Sequence, residues 1–241
     1  MHAEWRDVET ALRATQRLVR LAREAGRRVH TLHISTAEEM EFLESNRDIA
    51  TVEVLPQHLT LSAPDAYERL GTLAQQNPPI RSARHRDAIW QALRNGVVDC
   101  IGSDHAPHTL EEKARPYPQS PSGMTGVQTL VPIMLDHVHA GRLTLQRFVD
   151  LTSAGPARIY GIAGKGRIAL GYDADFTVVD LNAKKKIKNS WIASKSGWTA
   201  YDEMAVTGWP IATIIRGQVI MKDDEVLGQP IGSPARFTET L

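Results

Sequence analysis

One cysteine, Cys100, stands in 241 residues. That excludes a disulfide within the chain and makes a reducing cytoplasm the default compartment. Charge of one sign is missing as well, since 28 Lys plus Arg balance 28 Asp plus Glu. No overall field therefore favours nucleic acid or an anionic membrane. No apolar run approaches the roughly 18 residues that a membrane span needs. The N-terminal stretch "MHAEWRDVETALRATQRLVRLAREAGRR" is polar and charged, which is not the pattern of a secretory leader. What remains is a soluble globular chain, 42% hydrophobic, long enough for one large or two modest domains.

The pattern along the chain is an alternation. Val8, Leu12, Thr15, Val19 and Ala22 step by four and three, which predicts a helical face that Gly26 closes. "RRVHTLHIS" reads as a short buried strand. Ser35 with Glu38 and Thr36 with Glu39 then stand at capping-box spacing, so a helix starts just after His33. "IATVEVLPQHL" reads as a strand ending at His58, followed by a helix near "APDAYERLGTLA". "QQNPPIR" is a short extended piece, because a residue before proline is pushed out of the helical region. "SARHRDAIWQALRNG" is a helix, and "VVDCIGSD" a strand ending at Asp104. "VQTLVPIMLDHVHAG" and "TLQRFVDLTSAGPARIYG" read as further helices. Such alternation predicts parallel strands with crossover helices, a frame that gathers functional groups at the strands' carboxyl ends. After residue 164 the sequence turns to glycine, β-branched residues and short alternating runs. "IATIIRGQVIMKDDEVLG" reads as a hairpin in a small β domain.

His33, His58 and Asp104 fall at equivalent strand ends, and imidazole with carboxylate is what zinc takes. His30 competes with His33, and an odd separation sends the two to opposite faces of a strand. The residue nearer the strand's end is preferred. "HVH" at 137–139 lies on a predicted helix, where residues two apart diverge, so it is not read as a chelate. His85, in a charged helix, reads as solvated. His105 is expected to orient its neighbours. Cys100 reads as an inert buried thiol, "KKK" at 184–186 as a solvated turn, and "PSGMTG" as a loop that lays backbone against a ligand.

These segments carry a resemblance. "LHIST", "PQHLTL", "QNPPIR", "GSDHAPHTLEEKA", "PSGMTGVQT", "GRIALGYDADFTVVD" and "SKSGWTAYDEMAVTGWPIATIIRG" resemble the dihydroorotases of the amidohydrolase superfamily, single-polypeptide bacterial type. The resemblance runs over essentially the whole chain. It implies an α/β fold, the C-terminal half of a metal-dependent (β/α)8 TIM barrel, about strands 5 to 8, over 1–163, followed by a small β domain over 164–241. It implies zinc, two per complete site, with His33 and His58 on one metal and Asp104 on the other. Asp104 is also the implied general base. Asn77, His108, Ser122 and Gly123 are the implied substrate contacts. The implied reaction interconverts dihydroorotate and N-carbamoyl-L-aspartate in pyrimidine biosynthesis.

The family's H-x-H-x-R element and its bridging carboxylate or carboxylated lysine have no counterpart here. The chain alone is therefore expected to bind one zinc or none, weakly, and to turn over dihydroorotate poorly. Robust turnover by the zinc-loaded chain is the result that overturns this. An allantoinase or hydantoinase is the alternative enzyme. A non-catalytic subunit that assembles with aspartate transcarbamoylase is the alternative of another class. A homodimer is the other assembly considered.

Overall fold

The computed structural model describes residues 2–238. The chain divides into two compact units, Met1–Leu130 with Ile187–Glu203, and Val131–Lys186 with Met204–Leu241.

The first unit opens with α1 (His2–Trp5) and α2 (Val8–Ala25). The Asp7 side chain caps α2 by accepting from Thr10 N, and Gly26 closes it in the left-handed region at φ 62. Thr15, Val19 and Ala22 are its buried stripe. Then come β1 (Val29–Thr31), α3 (Ala37–Glu44), β2 (Ala50–Val54), α4 (Pro56–Thr60) and α5 (Asp65–Leu70). A 3-10 turn at Gly71–Ala74, α6 (Ala83–Arg94), β3 (Cys100–Ile101), α7 (Leu110–Lys113) and, in the 187–203 segment, a second 3-10 turn at Asn189–Trp191 follow. The strands pair in parallel in the order β1-β2-β3. Burial alternates along β2, so Ala50, Val52 and Val54 face the core while Thr51 and Glu53 face the other side. Each of the two fully buried valines contributes about 1.5–3 kcal/mol by leaving water.

The second unit holds α8 (Leu130–His139) from its second residue on, α9 (Leu145–Val149), a π-helical turn at Asp150–Ala154 and α10 (Gly155–Tyr160). Its sheet is antiparallel, β4 (Phe176–Lys186), β5 (Ala205–Ile215), β6 (Gln218–Lys222) and β7 (Glu225–Val226), in chain order. Gly208, at φ 103, lets β5 lie against α8, because a Cβ there would stand 2.5 Å from Leu135 Cβ. Thr207 N donates to Asp136 beside it at 2.9 Å. Among the described residues, no helix is long and apolar enough to cross a membrane.

Several expectations change. The strand read across 97–104 shortens to two residues, Cys100–Ile101. His58 does not end a strand. Pro56 stands at the first turn of a helix, a place that suits its missing N–H, and puts His58 inside α4. His85 is buried rather than solvated, and its Nδ1 accepts from Ala37 N at 3.1 Å. The lysines 184–186 end β4 rather than form a turn, and Lys185 lies over the Trp209 ring and pairs with Asp224. His137 is buried and His139 exposed, as their divergence on a helix requires.

Candidate active site

Two residues of the site sit where the backbone leaves a parallel strand in an uncommon conformation. His33, two residues past β1, has φ 42, and Asp104, three past β3, has φ 44. For non-glycine residues this left-handed region costs on the order of 1 kcal/mol each. His33 N donates to Glu53 Oε1 at 3.2 Å, which helps hold the turn. The left-handed turn also ends the alternation by which His30 and His33 were assigned opposite faces. Both now engage Glu53, His33 through its amide and His30 through its ring, with Nε2 3.9 Å from Oε2.

His58 is buried, with Nε2 3.1 Å from the Pro78 carbonyl and 3.0 Å from the Gln76 amide. Burial pushes its ring down to about 4 against the pull of the Pro78 carbonyl, and the nearby His33 lowers it further, so the His58 imidazole is neutral at pH 7. Burial raises the Asp104 carboxyl, His33 pulls it down and Glu53 pushes it up. His33 is thus coupled electrostatically to both His58 and Asp104. The Nδ1 atoms of His33 and His58 are buried without a hydrogen-bond partner. Imidazole nitrogens left so, beside a carboxylate, suit a divalent cation. His33, His58 and Asp104 do not themselves form a compact triad. Among the described residues, the three ligand atoms that all lie within 4.8 Å of one another belong to His30, Glu53 and Cys100.

A second set of residues forms the loops around this point. Asn77 is exposed, and the neighbouring Gln76 carbonyl lies 2.9 Å from His2 Nε2. Gln75, two residues before it, donates through Nε2 to Ser122 Oγ at 3.2 Å and to Ser120 O at 2.7 Å. Gly123 N donates back to Gln75 O at 2.9 Å. A Cβ on Gly123 would stand 2.3 Å from Ala106 O, so only glycine lets the 121–124 loop pass so close to the His105–His108 segment. His108 is half-buried, with Nδ1 3.6 Å from Glu112 on the next helical turn. From its place in the sequence His105 is expected to orient its neighbours as a donor, but the bond seen at its Nδ1 is one it accepts, from Gly126 N at 3.1 Å.

Lys113 ties these loops together and was not singled out from the sequence. Its ammonium is fully buried and donates to Gln75 O and Pro121 O at 2.9 Å and to Gly123 O at 3.2 Å. It lies 5.9 Å from the centre of the Trp198 ring, and Trp198 Nε1 donates to His108 O at 2.7 Å. Asn77, His108, Ser122 and Gly123 therefore sit on segments braced by one lysine and one indole. The capping box of Thr109 with Glu112 marks the helix that delivers Lys113 and is legible in "HTLEEK". Nothing in the sequence marks Trp198 as its partner. Two cavities of the first unit, about 290 Å³ around His105 and Gln128 and about 630 Å³ between His2, Tyr67 and Tyr117, are lined by other residues than His33, His58 and Asp104.

An imidazole just past one parallel strand, His33, and another on the short helix after the next, His58, with the Asp104 carboxylate coupled to His33, define a candidate metal-dependent hydrolase centre. The chain belongs to the amidohydrolase family, whose profile matches residues 13–220. It is 39% identical over 222 residues to a dihydroorotase of Pyrococcus furiosus, covering 92% of this chain and 51% of that protein. To a dihydroorotase of Pyrococcus abyssi it is 41% identical over 220 residues, covering 91% and 52%. The solved structure of an L-hydantoinase (dihydropyrimidinase) from Arthrobacter aurescens superposes with a TM-score of 0.87 at 35% identity, over 90% of this chain and 50% of that one. The chain spans about half the length of the curated relatives it matches.

Proposed function

We propose that this chain carries the catalytic carboxylate and part of the metal and substrate sites of a dihydroorotase. The reaction is the reversible hydrolysis of dihydroorotate to N-carbamoyl-L-aspartate, in pyrimidine biosynthesis. The observation that carries the reading is the pair of buried, unpartnered imidazole nitrogens on His33 and His58, with His33 coupled to Asp104. In the complete site His33 and His58 would share one zinc and Asp104 would hold the other. Zinc bound there supplies Lewis-acid polarisation of the scissile carbonyl and a water of lowered pKa. Asp104 is the general base that takes the proton of the attacking water and returns it to the departing ring nitrogen. Burial raises its carboxyl, in the direction a general base needs.

Asn77 and His108 bind the substrate, whose ring carboxylate calls for neutral or cationic donors. Both backbone groups of Gly123 are already engaged, by Gln75 O and by Lys113, so Ser122 offers the loop's freer contact. The barrel portion over 1–163 and the β domain over 164–241 are the proposed domains, and the four antiparallel strands all follow residue 164. β1 and β3 are the outer strands of the parallel sheet, and such edges invite pairing with further chain. A homodimer or an assembly with aspartate transcarbamoylase is proposed on that ground, in the cytoplasm.

Calorimetric titration of the zinc-loaded chain with dihydroorotate and with dihydrouracil tests the reading. Loss of the ring carboxylate is expected to weaken binding about tenfold or more. Asn77→Ala and His108→Ala are expected to erase that preference. Equal affinity for the two rings contradicts the assignment. A hydantoinase is the second reading, favoured by the hydantoinase structure's superposition. Tighter binding of a 5-substituted hydantoin than of dihydroorotate selects it.

A further inference from the structure

Three consecutive strands each present one metal-binding atom on one face of the parallel sheet. His30 of β1 pairs in register with Thr51 of β2, and Glu53 of β2 pairs with Cys100 of β3. Thr51 and Glu53 are two residues apart, so His30, Glu53 and Cys100 share a face. Cys100 Sγ lies 3.5 Å from His30 Nε2 and 3.9 Å from Glu53 Oε2, and Nε2 lies 3.9 Å from Oε2. A tetrahedral zinc with about 2.3 Å to sulfur and about 2.0–2.1 Å to nitrogen and oxygen needs edges of roughly 3.4–3.6 Å. The observed triangle meets one edge and exceeds the other two by about half an ångström or less, within small side-chain torsions.

The surroundings aim these atoms. His30 Nδ1 is 2.7 Å from Thr51 Oγ1, and Thr51 directs its own proton to Val29 O at 3.4 Å. With Thr51 accepting from Nδ1–H, the imidazole lone pair falls on Nε2, the atom facing the sulfur and the one a metal would take. Glu53 is anchored through Oε1 by His33 N. Its carboxylate fills the space over Gly102, where a Cβ would stand 2.5 Å from Glu53 Cδ, so the chain leaves the carboxylate room beside the Cys100 strand.

We propose that His30, Glu53 and Cys100 form a second divalent-cation site, for zinc or a metal of similar softness, separate from the His33, His58 and Asp104 centre. Thiolate, imidazole and carboxylate are a zinc donor set, and a solvent molecule completes the fourth position. Binding forms a sulfur–metal bond and releases the thiol proton to solvent. The bound ion cross-links β1, β2 and β3 and fixes Glu53, which in turn holds the His33 turn. This inference does not rest on the dihydroorotase reading.

Cobalt(II) titration of the purified full chain tests it, because Cys100 is its single cysteine. A near-ultraviolet sulfur-to-cobalt charge-transfer band is expected, and any such band reports Cys100 alone. The band is expected to persist in the His33→Ala/His58→Ala double variant and to fall sharply in His30→Ala. Zinc is expected to slow alkylation of Cys100 by iodoacetamide by about tenfold or more in the wild-type chain. That second measurement needs no variant to fold. A folded wild-type chain with no band at saturating cobalt, or an unchanged alkylation rate with zinc, overturns the site. A full-strength band in His30→Ala overturns it as well.

Discussion

Replacing Lys113 with Met removes one buried ammonium and keeps most of the side-chain volume. The structure fixes what that does. The bonds to Pro121 O and Gly123 O are lost outright, and two carbonyls stripped of that donor cost about 2 kcal/mol each. Gln75 O keeps Gly123 N as a donor, so the third lost bond costs about 1 kcal/mol. Against this roughly 5 kcal/mol stands the relief of burying a charge. Burial has pushed Lys113 down from 10.5 to about 8, which at 1.36 kcal/mol per unit returns about 3 kcal/mol. The balance predicts that Lys113→Met destabilises the chain by about 2 kcal/mol. Urea unfolding followed by tryptophan emission and far-ultraviolet signals measures it, as a lower midpoint at unchanged slope. A variant as stable as wild type, or more so, refutes the reasoning, because the desolvation cost would then exceed what the three carbonyls return.

Thr36→Ala removes the side chain that accepts from Glu39 N at 3.1 Å at the start of α3, and about 1 kcal/mol of stability is expected to go with it in the same denaturation assay. His85 titrates below its usual value because it is buried, with Glu38 pulling the other way. Its folded pKa lies under the unfolded 6.5, so the unfolded state binds more protons and stability falls as pH drops below about 6.5. In His85→Gln, which can still accept from Ala37 N, the loss of stability between pH 7 and pH 5.5 is expected to be smaller than in wild type. Gly208→Ala drives a Cβ to 2.5 Å from Leu135 Cβ at a left-handed φ of 103, and differential scanning calorimetry is expected to show a loss of about 2–4 kcal/mol.

Helix α2, the Thr36 cap, the β1-to-β2 alternation and the hairpin read over 211–228 were legible because each rests on local spacing or capping. His33 and Asp104 were found at strand ends for the same reason. His58 was placed one element too early, since "VEVLP" reads as strand up to the proline and the helix that Pro56 opens is only five residues long. The assignment of His30 and His33 to opposite faces rested on a strand's period of two. The strand ends at Thr31 and His33 sits in a left-handed turn, so that period does not extend to it, and such a turn at a histidine leaves no mark in the sequence. His85 looked solvated among charges because the Ala37 amide it accepts from lies 48 residues away. Glu53, Lys113 and Trp198 became visible only with coordinates, because what each one does depends on partners that the chain brings from far along its length.

The central claim is that His33 and His58 together hold a divalent cation at the mouth of the parallel sheet. Competitive zinc titration in a Cys100→Ser background, which removes the sulfur ligand of the other site, measures it directly. Zinc is expected to bind in that background and to be lost on His33→Ala or His58→Ala, with far-ultraviolet circular dichroism unchanged. Zinc affinity that is the same with and without those two imidazoles contradicts the account.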